Sequence, residues 1–333
     1  MALLFMDGFS GGDASVKWNS VNGSPSRTTT TPRFSGGVYL HQTSSYNLTK
    51  RYTASAEVYV GCAFSTTGAD LTVSFLGDSN TTTHITFIYS GTSKVFKVYR
   101  GTTSGTLLAT GTTILGLNAW HYAEMHVKIS DTVGVAELRL DGATTNEITF
   151  SGDTKNAGTN ISVDSVLFIA STTLDFTDVY ICDTTGSTNN SWLGDVTVRT
   201  LTPNGNGAFS QLLGSDADSV NNYLLVNEQP VSSTQYTGSA TTSQHDSYTM
   251  ADLPAGTTTV RGVQLNSYMA KSDATAGSSK GMLRIASTNY YGATQTLTTT
   301  YATYTDPFDL NPNTTIAWTP TDVNGLETGM EVA

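Results

Sequence analysis

Apolar side chains recur at every second position over much of the first half of this chain. That period constrains the fold more than any other feature. Ala54, Ala56, Val58 and Val60 point one way, while Ser55, Glu57 and Tyr59 point the other. Leu71, Val73 and Phe75 repeat the pattern, as do Ile85 and Phe87. A period of two places successive side chains on opposite faces of a strand, so these runs predict half-buried β-strands. Thr67-Gly68, Gly77-Asp78-Ser79-Asn80, Ser90-Gly91 and Ser104-Gly105 supply the turns between them. Short strands spaced by about ten residues and punctuated by Gly and Asn predict an antiparallel sandwich. Only 13% of the residues are charged, and the polar remainder is rich in Thr, Ser, Asn and Gly. Thr is stiff at χ1 and suits strands; Gly and Asn suit turns.

The clearest hairpin runs from Trp120 to Gly142. His121, Ala123, Met125, Val127 and Ile129 form one face, and Tyr122, Glu124, His126 and Lys128 the other. The return strand sets Ala136, Leu138 and Leu140 inside, with Glu137, Arg139 and Asp141 outside, and Asp141-Gly142 is a tight turn. Val166-Leu167-Phe168-Ile169 predicts a central strand buried on both faces. The stretch from Phe176 to Pro203 reads as strand (Asp178–Asp183), polar surface loop (Thr184–Asn190) and a second strand (Val196–Leu201). Thr28 to Thr31 is a low-complexity run that reads as a loop or an edge strand.

After Pro203-Asn204-Gly205 the pattern changes, and residues 1–200 and 201–333 read as two domains. In the second, Thr258 to Met269 predicts one long strand with Gly281–Ala286 as its partner, Leu297 to Tyr304 a further strand, and Trp318 an anchor for the C-terminus. The fold expected is all-β: a jelly-roll sandwich followed by a smaller antiparallel β-domain.

Charge and cysteine content narrow the function. The net charge is −11. No Lys/Arg cluster reaches the density of a nucleic-acid or polybasic membrane site, so neither partner is expected. Met1 to Gly12 lacks a basic n-region, and its apolar run is too short for a signal peptide. Cys62 and Cys182 each lie in an apolar strand-like run. They read as buried thiols, with a disulfide between them as the alternative. His121 and His126, five apart on one strand, face opposite sides and cannot chelate together; His121 reads as a satisfied core histidine.

Two resemblances follow from these motifs. Trp120 … Leu138-Arg139-Leu140-Asp141-Gly142, with the apolar strand and Phe-x-Asp-Val-Tyr-Ile of Val166 to Ile181, resembles concanavalin-A-like and laminin-G-like lectin sandwiches over about the first 200 residues. The run Leu-Gly-Asp-Val-x-Val-x-Thr-Leu-x-Pro-Asn-Gly (193–205), Val-Asn-Glu-x-Pro (226–230) and Asn-Pro-x-Thr-x-x-x-Trp-Thr-Pro-x-Asp-Val-Asn-Gly-Leu-x-x-Gly (311–329) resembles virion structural proteins of tailed bacteriophages. The second resemblance implies a virion location on tail or capsid and assembly with its own copies as a trimer or ring, beside other virion proteins. The first implies host-surface glycan binding as the alternative, with a polysaccharide depolymerase less favoured.

For retaining glucanases of that fold the lectin-like resemblance implies a Glu-x-Asp-x-x-Glu motif that supplies the close pair of carboxylates retention needs. Here Glu57, Glu124, Glu137 and Glu147 each stand alone among non-acidic neighbours, so no catalytic residue and no enzyme is expected. No cofactor is expected beyond Ca²⁺, for which Asp216 and Asp218 in Ser215–Asn222 are the candidate ligands; the alternative is a polar loop whose side chains cap turns. Tyr290, Tyr291, Tyr301 and Tyr304 lie in a charge-poor segment and are the candidates for sugar stacking or subunit contacts.

Overall fold

The computed structural model describes residues 2–11 and 14–333. The chain divides into two compact units. One holds residues 2–9 and 18–198. The other holds 199–333 together with the short helix α1 (Ala14–Lys17).

The first unit is a two-sheet antiparallel sandwich. Sheet A has the order β13 (Ile148–Gly152), β12 (Gly134–Leu140), β11 (His121–Lys128), β6 (Glu57–Thr66), β15 (Leu174–Asp183), β4 (Tyr39–Gln42), β3 (Ser26–Thr28), with β1 (Leu3–Asp7) also on β15. Sheet B has the order β10 (Thr106–Thr110), β9 (Phe96–Arg100), β8 (Thr82–Tyr89), β7 (Leu71–Gly77), β14 (Val163–Ala170), β5 (Tyr46–Ser55), β2 (Ser20–Asn22). Aromatic rings close the space between the sheets. Phe64 of β6 meets Tyr89 and Phe96 at 5.3 and 5.8 Å between centroids, and Phe168 of β14 meets Phe176 of β15 at 4.9 Å. Such offset and edge contacts add to the area they bury.

β15 has a bulge at its middle. Its first part pairs with β4, its second with β1, and the register with β6 slips between Thr177 and Tyr180. Asp178 sits in the slip with φ +53. A bulge turns the local strand and re-aims a side chain. Here it directs the buried Asp178 carboxylate to Arg33 (2.7 Å) and to the backbone N–H of Val198 (2.8 Å).

Several expectations are corrected. The run Ala54–Val60 is two strands, because the chain leaves sheet B at Ala56 and enters sheet A at Glu57. β14 is central, but Leu167 and Ile169 are only half-buried, because the outer face of sheet B is open to water. Val196–Leu201 is not a strand. Its polar backbone groups bond side chains instead, Val198 N–H to Asp178 and Val196 C=O to Arg33. Cys62 and Cys182 are buried thiols with no disulfide between them, as the sequence predicts, and burial raises the Cys62 pKa.

The second unit is built on a sheet ordered β16 (Pro203–Ser210), β19 (His245–Met250), β25 (Glu327–Val332), β21 (Ser278–Ile285), β22 (Thr288–Tyr291), with β23 (Gln295–Thr296) also on β21. Two ribbons accompany it: β17 (Leu213–Gly214) with β18 (Thr237–Gly238), and β20 (Val263–Met269) with β24 (Ala302–Phe308). The long strand expected from Thr258 therefore begins only at Val263, and its partner is β24, not Gly281–Ala286. The strand expected over Leu297–Tyr304 begins at Ala302 and runs on through Pro307, which a two-stranded ribbon tolerates on its open edge. Leu265, Leu283, Ile285, Trp318, Val323 and Leu326 form this unit's core. Trp318 is buried there and donates to Phe308 O at 2.9 Å, so it anchors the C-terminal segment as expected. Helix α2 (Pro320–Asn324) starts from a capping box in which Asp322 N–H donates to Thr319 Oγ1 and Thr319 N–H to Asp322 Oδ2.

Candidate functional site

One face of sheet A packs on sheet B; the other is buried as well, and the chain itself covers it. Tyr59, Ala63, Tyr122, Tyr180, Cys182 and Leu193 form a second core cluster there, flanked by Trp120, Trp192 and Val196. The cover is the segment from Ser191 to Val198. Glu124 Oε1 accepts from Tyr180 Oη (2.5 Å), Leu193 N (3.1 Å) and Gly194 N (2.8 Å). Arg33 pairs with Asp178 and Asp195. Trp192 sits edge-on to Tyr59 and His126, with the Arg139 guanidinium 4.3 Å from its ring. Gly61 is required beneath, because a Cβ would collide with the Tyr180 ring. Burial raises the phenol pKa values of Tyr122 and Tyr180 well above the ordinary one.

His126 and His121 do face opposite sides. His126 stacks on Tyr59 at 4.1 Å, and its ring nitrogens meet Glu57 and Glu137, both at 2.8 Å. The fold thus gathers two glutamates that stand alone in sequence, but spends them on one imidazole. The Tyr59 pKa is pushed up to about 12, by burial first and then by Glu57 and Glu137. His121 is satisfied by Asp141 Oδ2 (3.0 Å) and Gly116 O (3.1 Å).

Sheet A is open at one end. A cleft of about 330 Å³ lies where β6 finishes and β11 and β15 begin, lined by Thr31, Pro32, Ser65, Thr66, Thr67, Asn118, Trp120, Thr173 and Asp175. Each wall is held in place. The loop after β3 is clamped by two aromatics: Trp120 Nε1 donates to Thr31 O at 3.1 Å, and the Tyr39 hydroxyl lies 3.0 Å from Thr31 Oγ1. Tyr39 packs edge-on against Trp120 at 5.4 Å. The low-complexity Thr28–Thr31 run is therefore an edge strand that ends at Thr28 and then a cleft wall. Thr66 Oγ1 accepts from Gly68 N and Ala69 N, which fixes the turn after β6. Asp175 Oδ1 contacts His41 Nδ1 at 2.6 Å, so the carboxylate is held in one orientation. The result is a half-buried indole, a fixed carboxylate, an exposed carboxamide and a ring of hydroxyls. Hydroxyl, amide and carboxylate groups around an aromatic platform suit a ligand with apolar C–H faces and many hydroxyls.

The residues singled out from sequence lie elsewhere. Asp216 and Asp218 sit in the turn after β17, where their carboxylates accept from Asp218 N and Val220 N; the described residues contain no cluster of three or more metal-ligating side chains. The four tyrosines are dispersed. Tyr290 packs on the core and bonds Asn313 Oδ1 (2.9 Å). Tyr291 bonds Glu331 and lies under the Lys280 ammonium. Tyr301 stacks on Tyr268 at 4.9 Å, and Tyr304 donates to Thr296 O at 3.4 Å. The cleft residues were not found from sequence, because Thr31, Thr67, Asn118 and Asp175 come from four separate segments. Only Trp120, an aromatic directly before a strand, carried a signal.

No family model matches the chain, and no curated protein matches it. Solved structures similar to it include the carbohydrate-binding module CBM66 from Bacillus subtilis (12% identity over 53% of this chain and 98% of that one, TM-score 0.37). A second is a Bacillus subtilis protein of unknown function with a galectin-like fold (11%, 55% and 96%, TM-score 0.40). A third is the VIP36 exoplasmic/lumenal domain in its Ca²⁺/Man3GlcNAc-bound form (10%, 56% and 92%, TM-score 0.38). At such identities and scores, ligand and activity have to be read from this chain's own residues.

Proposed function

We propose that the first unit is a non-catalytic saccharide-binding sandwich whose ligand occupies the cleft beside Trp120. The observation that carries this reading is the cleft itself: an indole, the Asp175 carboxylate and the Asn118 carboxamide around about 330 Å³, at the low end of the range for small-molecule sites. A sugar ring would lie against the indole, and its hydroxyls would donate to Asp175 Oδ2 and Asn118. Hydrolysis needs two carboxyl groups flanking one bond, and Asp175 is the one acid among the lining residues. This supports binding over hydrolysis at the cleft, as in an adhesin or receptor-binding protein. Titration with neutral oligosaccharides, followed by tryptophan fluorescence and calorimetry, tests it. Trp120→Ala and Asp175→Ala are each expected to weaken binding at least tenfold with the fold retained. Silence of the wild-type protein across a glycan panel would end this reading.

A second reading is a structural component of a tailed-phage particle that assembles with its own copies. The virion placement rests on sequence resemblance. One structural observation favours self-assembly: Leu213, Val220, Leu224 and Tyr236, all from segment 213–236, are 47–64% exposed. Light scattering after size exclusion tests it; a monomer at micromolar concentration would count against it.

A further inference from the structure

The cleft also carries a charge pattern that selects among saccharides, and the inference drawn from it rests on the saccharide reading above. Its described lining has one carboxylate and no Lys or Arg. The arginine next to it in sequence, Arg33, is committed elsewhere: its guanidinium bonds Asp178, Asp195 and the carbonyl of Val196. Asp175 cannot swing away from a ligand, because Oδ1 is held by His41 at 2.6 Å. Its side chain is 18% exposed, so solvent screens it only in part. The chain as a whole is at −11, which adds a repulsive long-range field for any anion.

We infer that the cleft takes an uncharged saccharide and rejects sialylated or uronic-acid glycans, with Asp175 as the residue that enforces the choice. A neutral sugar hydroxyl donates to Asp175 Oδ2 and forms a charge-assisted hydrogen bond. A sugar carboxylate in the same place has no proton to give and meets a like charge, with no Lys or Arg among the described lining residues to offset it and the His41 imidazole already engaged on Asp175 Oδ1. Specificity here comes from a repulsive element as much as from an attractive one.

The test is a paired titration of the full chain. Neutral glucose-, galactose- and mannose-terminated oligosaccharides are compared with sialylated and glucuronate-containing counterparts at low salt and at about 0.5 M salt, where the Debye length falls to a few ångströms. The expected result is a preference of at least tenfold for the neutral ligand, narrowing at high salt. Asp175→Asn should weaken neutral binding several-fold and shrink the preference to under threefold. Equal or tighter binding of the acidic glycans to the wild-type protein would overturn the charge selection and leave the saccharide reading standing. No binding of any panel member would overturn both. The salt comparison needs no variant, so a poorly folded Asp175→Asn protein would not block the decision.

Discussion

His121 and Asp141 are the residue pair whose pH response the structure specifies. The hydrogen bond to Asp141 raises the His121 pKa against the opposing effect of burial. Burial would raise Asp141, but bonds from His121 and from Tyr122 N–H hold it below the ordinary carboxylate value. A histidine with a raised folded pKa adds stability that is complete below its unfolded value and is lost as pH rises through the folded one. A depressed aspartate adds stability that is complete above its unfolded value and is lost as pH falls through the folded one. The pair therefore stabilises most between about pH 4 and pH 6.5. Asp141 is half-exposed, so the effect is small, about 0.5 kcal/mol. Asp141→Asn should lower the His121 titration midpoint measured by NMR and flatten the stability profile in that window; an unchanged midpoint would refute the pairing. Glu124 is a larger case. Its Oε1 accepts three hydrogen bonds in a buried site. Glu124→Ala takes the acceptor from Gly194 N–H and from the buried Tyr180 hydroxyl and leaves Leu193 N–H only the long bond to Tyr180 Oη (3.4 Å), and urea unfolding should show a loss of about 2–4 kcal/mol. Glu124→Gln keeps an acceptor but gives up the charge-assisted bonds, and should lose about half of that.

At the scale of elements, the segment 191–198 closes the outer face of sheet A without forming a strand. Trp192 contributes partly buried ring area against Tyr59, His126 and Arg139. Trp192→Ala should cost about 2 kcal/mol, below the range for a fully buried tryptophan. Amide exchange should accelerate at Leu193 and Gly194 while β6 and β11 stay protected; a uniform loss of protection would mean the cover is not a separate cooperative element. The sequence announces the strands well, because apolar side chains recur at every second position in β7, β8, β11 and β12, although burial itself alternates in β12 and not in β11, whose two faces are both covered. It hides the cover. Val196–Leu201 has the alternation and β-branched content of a strand, yet Asp178 and Arg33 take its backbone bonds. Those two residues lie far from it in sequence, and no local pattern reports them. The same blindness applied to the cleft, whose walls come from separate turns, and to the β20–β24 ribbon. There the sequence points to Gly281–Ala286 and the structure pairs Ala302–Phe308 instead, because strand propensity does not encode which strand is met. In β19, the buried Asp246 accepts from Gln211 N, Leu212 N, Asn222 Nδ2 and Tyr248 Oη. It lies in a stretch so polar that composition alone reads it as loop.

At the scale of the whole molecule, each unit has its own core, which is the physical condition for a unit to melt on its own. The cleft lies wholly in the first unit. A ligand that binds only the folded form of that unit stabilises it by about 2.7 kcal/mol at a concentration one hundred times Kd. For a unit of this size the shift is about 5–10 °C. Calorimetry of the full chain should therefore show a saccharide raising the transition that Trp192→Ala lowers, since the cover and the cleft lie in the same compact unit. The second unit's transition, marked by Trp318 and by variants in its core such as Leu283→Ala, should stay where it is. A neutral sugar that instead moved the second transition would place the binding residues in the second unit, near Tyr268 and Tyr301, and would remove Trp120 and Asp175 from the mechanism.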